Sequence, residues 1–328
     1  MNYFSYTVAT QPDEAFRERT SPGRSAYLAG GTNLIDHIKL GVEQPQRLID
    51  VRKLGFDRIE ALPGGGLRIG ATVRNTALAY DERVLKNYPV LSQAILSGAS
   101  PQLRNSATTA GNLLQRTRCS YFRDGLSPCN KRQAGTGCAA LAGFNRTHAV
   151  LGTSERCIAT HPSDMDVAMI ALDAVVRLRG ASGERTVPLQ DFYVAYGEDP
   201  VKENVLEPGE LITAVDLPAT EWFARSHYFK ARDRASYEFA LSSAAVALDL
   251  RDGVVRDCRI ALGGVATKPW RAHAAENALR GTRPTEQAFR AAADAELSSA
   301  VSRAHNGFKI DLCRGTLMQA LHTTVALA

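Results

Sequence analysis

Four cysteines constrain this chain more than any other feature. In "CSYFRDGLSPCNKRQAGTGC", Cys119 to Cys138, and "GTSERCIATHPSD", with Cys157, four of the six cysteines fall within 39 residues of loop-like sequence rich in Gly, Pro, Arg and Asn. Disulfides, a zinc ion and an iron–sulfur cluster all use thiols this way, and each implies a different protein. The spacing is C-x9-C-x8-C-x18-C. It contains no CxxC pair, which counts against a zinc knuckle and against a ferredoxin-type run. Long gaps do not forbid a cluster, because the fold can bring four thiolates together. Arg116, Arg118, Arg123, Lys131 and Arg132 add local positive charge, suited to offsetting a thiolate-ligated cluster or to facing water. Cys258 lies in an apolar strand pattern and Cys313 in a helical one, where thiols behave as core residues.

Compartment bears on the choice. The start, "MNYFSYTVATQPDEAF", has no basic stretch followed by an apolar run, so no secretory signal is read there. No window approaches 18 consecutive apolar residues, and no membrane span is expected. A chain synthesised in the reducing cytosol seldom carries structural disulfides, which weakens that reading. At 328 residues two or three folding units are expected. A net charge of +5, with scattered basic residues, argues against nucleic acid as a partner.

Three regions separate along the chain. In residues 1–55, "SAYLAGGTNLIDHIKLG" reads as a strand at Ala26–Ala29, a glycine turn and a helix over Leu34–Leu40. In residues 56–218, Gly64–Gly66 mark a hairpin turn and Asn75 and Thr76 sit where a helix cap would. A helix with Val90, Leu91, Ala94 and Ile95 on one face follows. "DVAMIALDAVVRLRG" reads as a turn into a long apolar strand, "ERTVPLQDFY" as another, and "LEPGELITAVDLP" as a strand ended by Pro218. Residues 219–328 hold a hairpin turning at Asp252-Gly253, then helical sequence with Leu312, Leu317 and Leu321. The pattern is α+β.

Two small-residue loops look like ligand cradles. In "AGGTNLIDHIKLG", Gly30 and Gly31 allow consecutive N–H groups to face one concavity, with Thr32 and Asn33 as side-chain donors and a helix start behind them. That is a way to hold a diphosphate, though not the dinucleotide fingerprint GxGxxG; otherwise it is a plain strand-to-helix turn. "SATTAGNLLQ" offers Thr108, Thr109, Gly111 and Asn112 to an extended polar ligand, or simply caps a helix. Two such loops about 75 residues apart suggest a ligand between subdomains. "THPSDMDVA" juxtaposes His161, Ser163 and Asp164, but sequence neighbours rarely assemble a hydrolase triad and no GxSxG elbow is present. Asp164 could instead grip a ribose hydroxyl. Lys230, Arg232 and Arg234 in "FKARDRASYEFA" could face an anion or water.

Taken together and in order, "AGGTNL", "QLRNSATTAGNLLQ", "HPSDM", "LEPGELI", "FKARDRASYEFAL" and "ALGGVATKPWR" resemble the FAD-binding (medium) subunit of the xanthine dehydrogenase family of molybdenum hydroxylases, over essentially the whole chain. With "LLQRTRCSYFRD", "PCNKR" and "GCAAL" the resemblance narrows to the flavin subunit of periplasmic aldehyde oxidoreductases, which carries an extra 4Fe-4S cluster. The resemblance implies a two-subdomain FAD-binding domain of the vanillyl-alcohol-oxidase (PCMH) type over 1–218, with subdomains of about 1–55 and 56–218. A cysteine-rich insertion spans about 116–158. A smaller α+β domain like the CO dehydrogenase flavoprotein C-terminal domain spans 219–328.

By motif, it implies that Ala29, Gly30, Gly31, Thr32, Asn33, Leu34, Ile35 and Asp36 wrap the FAD diphosphate. Thr108, Gly111 and Asn112 would complete the diphosphate and flavin contacts. Asp164 would bind ribitol or ribose hydroxyls, Leu211 and Ile212 would meet the cofactor, and Lys230 would lie beside it. Cys119, Cys129, Cys138 and Cys157 would ligate the cluster.

A molybdenum cofactor in a large subunit would oxidise an aldehyde, and 2Fe-2S centres in a small subunit would pass electrons to FAD here and on to an external acceptor. This chain would then need no catalytic acid or base, and none is evident in it. No nicotinamide site can be named, so ferredoxin, a quinone-linked carrier, a small protein or oxygen all stand as acceptors. The chain would be cytoplasmic as synthesised, and periplasmic if the complex leaves on a partner's twin-arginine signal. The rival readings are a free-standing flavin oxidoreductase and a zinc-stabilised interaction protein.

Overall fold

The computed structural model describes residues 2–20, 24–197 and 199–327. Its strands form three sheets. β1 (Ser5–Val8), β2 (Ser25–Leu28) and β3 (Arg47–Asp50) make a parallel sheet in the order β1-β3-β2. The strand, turn and helix expected around Gly30 are β2, a loop and the helix Leu34–Lys39. Ala15, Phe16, Ile49 and Leu54 seal this sheet, together with Leu211 from the second region.

The second sheet is antiparallel: β4 (Ile59–Ala61), β5 (Leu67–Gly70), β6 (Val175–Gly180), β7 (Gly183–Pro188) and β8 (Leu211–Leu217), in the order β4-β5-β8-β6-β7. Gly64 and Gly65, with φ of 95° and 97°, make the expected β4–β5 turn. The helix Pro89–Ser97 buries Val90, Leu91, Ala94 and Ile95.

Two local expectations are corrected. Asn75 and Thr76 lie inside the helix Asn75–Ala79, whose cap residue is Arg74. "DMDVAMIA" is a helix, Asp164–Ala171, and only Val175 onward is strand. Every residue from Met165 to Ala171, Asp166 included, is buried, so the helix has no solvent-facing polar stripe and shows no periodicity to distinguish it from a buried strand. The deciding feature is its cap: Ser163 Oγ accepts from the Asp166 N–H at 3.1 Å, with Asp164 and Asp166 in the first turn.

The third sheet runs β12-β11-β10-β9, all antiparallel, from β9 (Ser226–Ala231), β10 (Ser242–Arg251), β11 (Val254–Gly263) and β12 (Trp270–Arg271). Asp252 and Gly253, with φ of 53° and 72°, form the expected tight turn. Ala244, Val246 and Leu248 of β10 pack with Leu317 and Leu321 of the helix Phe308–Ala326. Ala245 and Ala247 on its other face join the core around Met169 and Tyr228. One strand thus serves two cores, which explains its unbroken apolar run. Cys258 and Cys313 are buried core thiols, as expected.

The cysteine segment contrasts with these layers. Its regular structure, among the described residues, is the turn Ser120–Arg123, an isolated antiparallel bridge between Cys129 and Cys138, and a parallel one between Leu151 and Ala266. Its far end is tied to the third region: the buried Lys309 Nζ donates to the carbonyls of Thr147 at 3.1 Å, His148 at 3.0 Å, and Gly264. No helix among the described residues is long and apolar enough to cross a membrane.

Candidate functional site

Close backbone contact builds a cleft between the two small-residue loops. A Cβ on Gly30 would lie 2.2 Å from the Ser106 carbonyl oxygen, so glycine is required there. Ser106 Oγ donates to the Gly30 carbonyl at 2.9 Å, stitching the loops together. On the second loop Thr108 caps the helix Thr109–Leu113, its Oγ1 accepting from the Gly111 N–H at 3.3 Å. Thr109 N and Ala110 N bond to the Val73 and Ala71 carbonyls, both at 2.9 Å, which fixes this loop to the chain leaving β5.

Two cavities of about 690 and 610 Å³ share Thr32, Asn33 and Gly111 as a common wall. The larger is bordered by Ala29, Gly30, Gly31, Leu34, Thr108, Leu211 and Ile212. The smaller is bordered by Asp36, Asn112, Asp164 and Lys230. Ile35 lines neither; its Cγ1 lies 3.2 Å from where a Cβ on Gly31 would stand.

The cleft's chemistry suits an extended polar ligand. Thr72 Oγ1 and Asn75 Oδ1 are buried without a hydrogen-bond partner among the described residues, and each borders one cavity. Buried polar atoms are ordinarily paired, so these orphans call for a ligand group. At the far end Lys230 Nζ lies 2.8 Å from Asp164 Oδ2 and Tyr228 OH donates to Oδ1 at 2.6 Å. Burial, then the adjacent Asp164 charge, holds the Tyr228 hydroxyl well above its ordinary range, so it stays a donor. Asp164 keeps a fixed orientation as a result.

Sequence reasoning missed Thr72 and Asn75, since neither belongs to a recognisable loop motif. Asn33 is less free than expected: its Oδ1 accepts from the Arg116 N–H at 3.0 Å. The His161, Ser163, Asp164 grouping is no triad. His161 Nε2 lies 2.7 Å from Asp166 Oδ2, which also accepts from Tyr193 OH at 2.7 Å. Ser163 Oγ instead donates to Asn112 Oδ1 at 2.7 Å, orienting a cleft residue.

Beside the cleft the four cysteines come near one another: Cys129 and Cys138 are bridged through the backbone, Cys119 packs by Cys157, and the thiols act on one another's charge. All six cysteines are free. Burial pushes Cys119 up to about 11 and Cys157 up to about 12, and charge on neighbouring cysteines adds to both. Among the described residues no three His, Cys, Asp or Glu side chains converge closely enough to hold a single metal ion. A tetrahedral zinc site demands such convergence, whereas thiolates of an iron–sulfur cluster surround a body of several atoms. The donor set, four thiols from one loop segment whose charges act on one another, suits the latter. Lys131 is buried there, its Nζ 3.1 Å from Glu203 and 3.7 Å from the centre of the Tyr196 ring. His148 Nε2 lies 3.2 Å from Cys119 Sγ, and burial, then the Lys309 charge, lowers its imidazole to about 4.

The neighbouring arginines are tied to carboxylates. Arg118 and Arg123 pair with Asp36 at 3.5 and 2.8 Å, and Arg116 pairs with Glu203 at 2.8 Å and Glu43 at 3.2 Å. Burial pushes Glu203 up, but Lys131 and Arg116 together bring it below the usual carboxylate range. A half-buried charge chain therefore joins the cysteine site to the Asn33 loop.

Comparison with known proteins places this geometry. Residues 2–220 match the FAD binding domain in molybdopterin dehydrogenase, and residues 227–324 match the CO dehydrogenase flavoprotein C-terminal domain. The chain belongs to the FAD-binding medium subunits of the molybdenum hydroxylases. It is 53% identical over 323 residues to the aldehyde oxidoreductase FAD-binding subunit PaoB of Escherichia coli (strain K12), covering 98% of each chain. It is 27% identical over 278 residues to the glyceraldehyde dehydrogenase medium chain of Sulfolobus acidocaldarius, covering 85% of this chain and 81% of that one.

Among solved structures, carbon monoxide dehydrogenase from Hydrogenophaga pseudoflava superposes with a TM-score of 0.77 at 26% identity, covering 99% of this chain and 98% of that one. Quinoline 2-oxidoreductase from Pseudomonas putida 86 shares the fold, with a TM-score of 0.76 at 21% identity and 99% of both chains covered. This FAD-binding subunit is therefore one component of a multi-subunit oxidoreductase, and its mixed α and β layers are those of its family.

Proposed function

We propose that this FAD-binding subunit also carries a 4Fe-4S cluster on Cys119, Cys129, Cys138 and Cys157, and serves electron transfer in a molybdenum-containing aldehyde oxidoreductase. Electrons would arrive from a 2Fe-2S small subunit, after oxidation of the aldehyde on a molybdenum-cofactor large subunit, and leave to an external acceptor. The observation that carries the reading is a split cleft with orphaned polar atoms beside a loop segment that carries four free thiols. High identity to an aldehyde oxidoreductase FAD-binding subunit supports the substrate class.

When bound, FAD supplies a centre that exchanges electrons singly or in pairs. The chain's own residues supply the binding. The loop from Ala29 to Asn33 and the residues Thr108, Gly111 and Asn112 present backbone and side-chain donors from opposite walls, suited to a diphosphate at their shared boundary. Asp164, held by Lys230 and Tyr228, presents a carboxylate edge to sugar hydroxyls. Leu211 and Ile212 give an apolar wall. Asp36 acts at one remove, positioning the cleft loop against Arg118 and Arg123.

The test is composition and spectrum of the native complex. One FAD, and iron exceeding the small subunit's 2Fe-2S complement by four atoms, are expected, with aldehyde oxidation only when all subunits are present. Zinc in place of that iron overturns the cluster. Aldehyde turnover by this chain alone would make it a free-standing flavin oxidoreductase. We further propose export of the folded complex on a partner's twin-arginine signal; recovery of the activity solely in the cytoplasmic fraction overturns that part.

A further inference from the structure

We infer that His148 donates a hydrogen bond from its Nε2–H to the Cys119 sulfur and thereby raises the reduction potential of the cluster. This rests on the proposed ligation by the four cysteines.

The geometry fixes the proton. Nε2 lies 3.2 Å from Cys119 Sγ, while Nδ1 is buried and has no partner among the described residues. A neutral imidazole carries one N–H, and a protonated one carries a proton on Nε2 in any case. A proton on Nδ1 would be a buried donor with nothing to receive it, and would set the Nε2 lone pair against the sulfur's. A proton on Nε2 meets an acceptor, and leaves only a bare acceptor nitrogen unpaired.

The backbone holds the ring in place. His148 N donates to the Asn145 carbonyl at 3.0 Å, its own carbonyl accepts from Lys309 Nζ at 3.0 Å, and Ala149 N donates to the Ile158 carbonyl at 2.9 Å, next to Cys157 in the chain. The ring is 3% exposed as a residue, so water cannot replace it as the donor.

The consequence is electrostatic. One electron entering a thiolate-ligated cluster increases the negative charge on its sulfurs, with no bond made or broken. A hydrogen bond to the more negative acceptor is stronger, so the donor favours the reduced form, one of the ways protein tunes such a centre. His148 is thus a positioning residue that acts through Cys119.

The experiment uses the intact complex, titrated with dithionite and mediator dyes while the paramagnetic reduced cluster is followed by EPR. Replacing His148→Leu is expected to shift the reduction equilibrium about tenfold toward the oxidised form, about 59 mV more negative for a one-electron couple, with iron and FAD content unchanged. The variant His148→Gln, which keeps an amide N–H, is expected to recover part of the shift. Full iron content with the wild-type midpoint in His148→Leu overturns the inference.

Should His148→Leu fail to assemble, wild-type protein carries the test. The reduced cluster labelled with ¹⁵N-histidine is expected to show nitrogen coupling in pulsed EPR, together with an exchangeable proton lost in D₂O, and absence of both overturns the hydrogen bond. A wild-type complex without the four extra iron atoms overturns the cluster itself, and does so before any His148 variant is made.

Discussion

The cleft walls come from strand ends and helix starts, whereas the cysteine segment beside them runs through one helical turn and two isolated bridges. In the cleft, backbone groups of the Thr108 loop bond to Val73 and Ala71, and Gly30 rests on Ser106, so the shape follows from sheet packing. In the cysteine segment side chains replace the ladder: Arg132 donates to the Tyr121 and Phe122 carbonyls, both at 2.8 Å, and Asn145 Nδ2 to the Ala140 carbonyl at 3.1 Å. A region ordered this way pays the conformational entropy of many loop residues for little buried apolar surface. The contrast separates a site whose form precedes its ligand from one whose stability depends on ligation.

The largest effect expected from this difference follows Cys129→Ser. It should abolish the extra iron and destabilise the subunit by on the order of 5 kcal/mol, read as a lower unfolding midpoint and proteolysis within residues 116–158. Full iron and normal stability in that variant would erase the contrast.

Next comes Lys230→Met in the cleft. It leaves the Asp164 carboxylate buried with Tyr228 as its remaining partner, a loss of about 3–5 kcal/mol. The double variant Lys230→Met, Asp164→Leu should recover much of that stability without recovering FAD, which distinguishes folding from binding.

Gly30→Ala is smaller, about 1–3 kcal/mol from overpacking against Ser106, with FAD released more readily on dilution. Unaltered FAD retention would show that the loops tolerate separation.

Smallest is Glu43→Gln, within about 1 kcal/mol at neutral pH because the pair with Arg116 is partly exposed. Burial raises the Glu43 carboxyl, but the His37 and Arg116 contacts together leave it below its ordinary value. Its contribution is therefore present above the unfolded value of about 4.3 and lost as pH falls through the lower folded value. The stability gap between wild type and Glu43→Gln should close on acidification; a widening gap contradicts the assigned pairing.

What the sequence made legible was local. Gly30, Gly31, Thr108 and Gly111 are marked by small residues at turns, and the four cysteines by their density, so both sites were visible as sets. Leu211 and Ile212 were assigned through family resemblance, and Asp164 and Lys230 were named separately but not as a pair, because only the folded sheets bring them together at the cleft. Thr72 and Asn75 carry no local signal: their function-bearing property is an unsatisfied atom, which exists only after burial. The partners of Arg116, Arg118 and Arg123 lie more than 70 residues away, so their charge read as local when it is a long-range brace. The helix Asp164–Ala171 was hidden because it is buried on every side and shows no amphipathic period.

The two-faced strand β10 has a further bearing on how this protein can be handled. Since its alternate alanines complete the interior around Met169 while Val246 and Leu248 complete the other, a backbone nick between Pro218 and Ser226 would leave two pieces clasped through that strand. Neither piece could be grafted into another protein without exposing an oily face, so the modules visible in the sequence are inherited together.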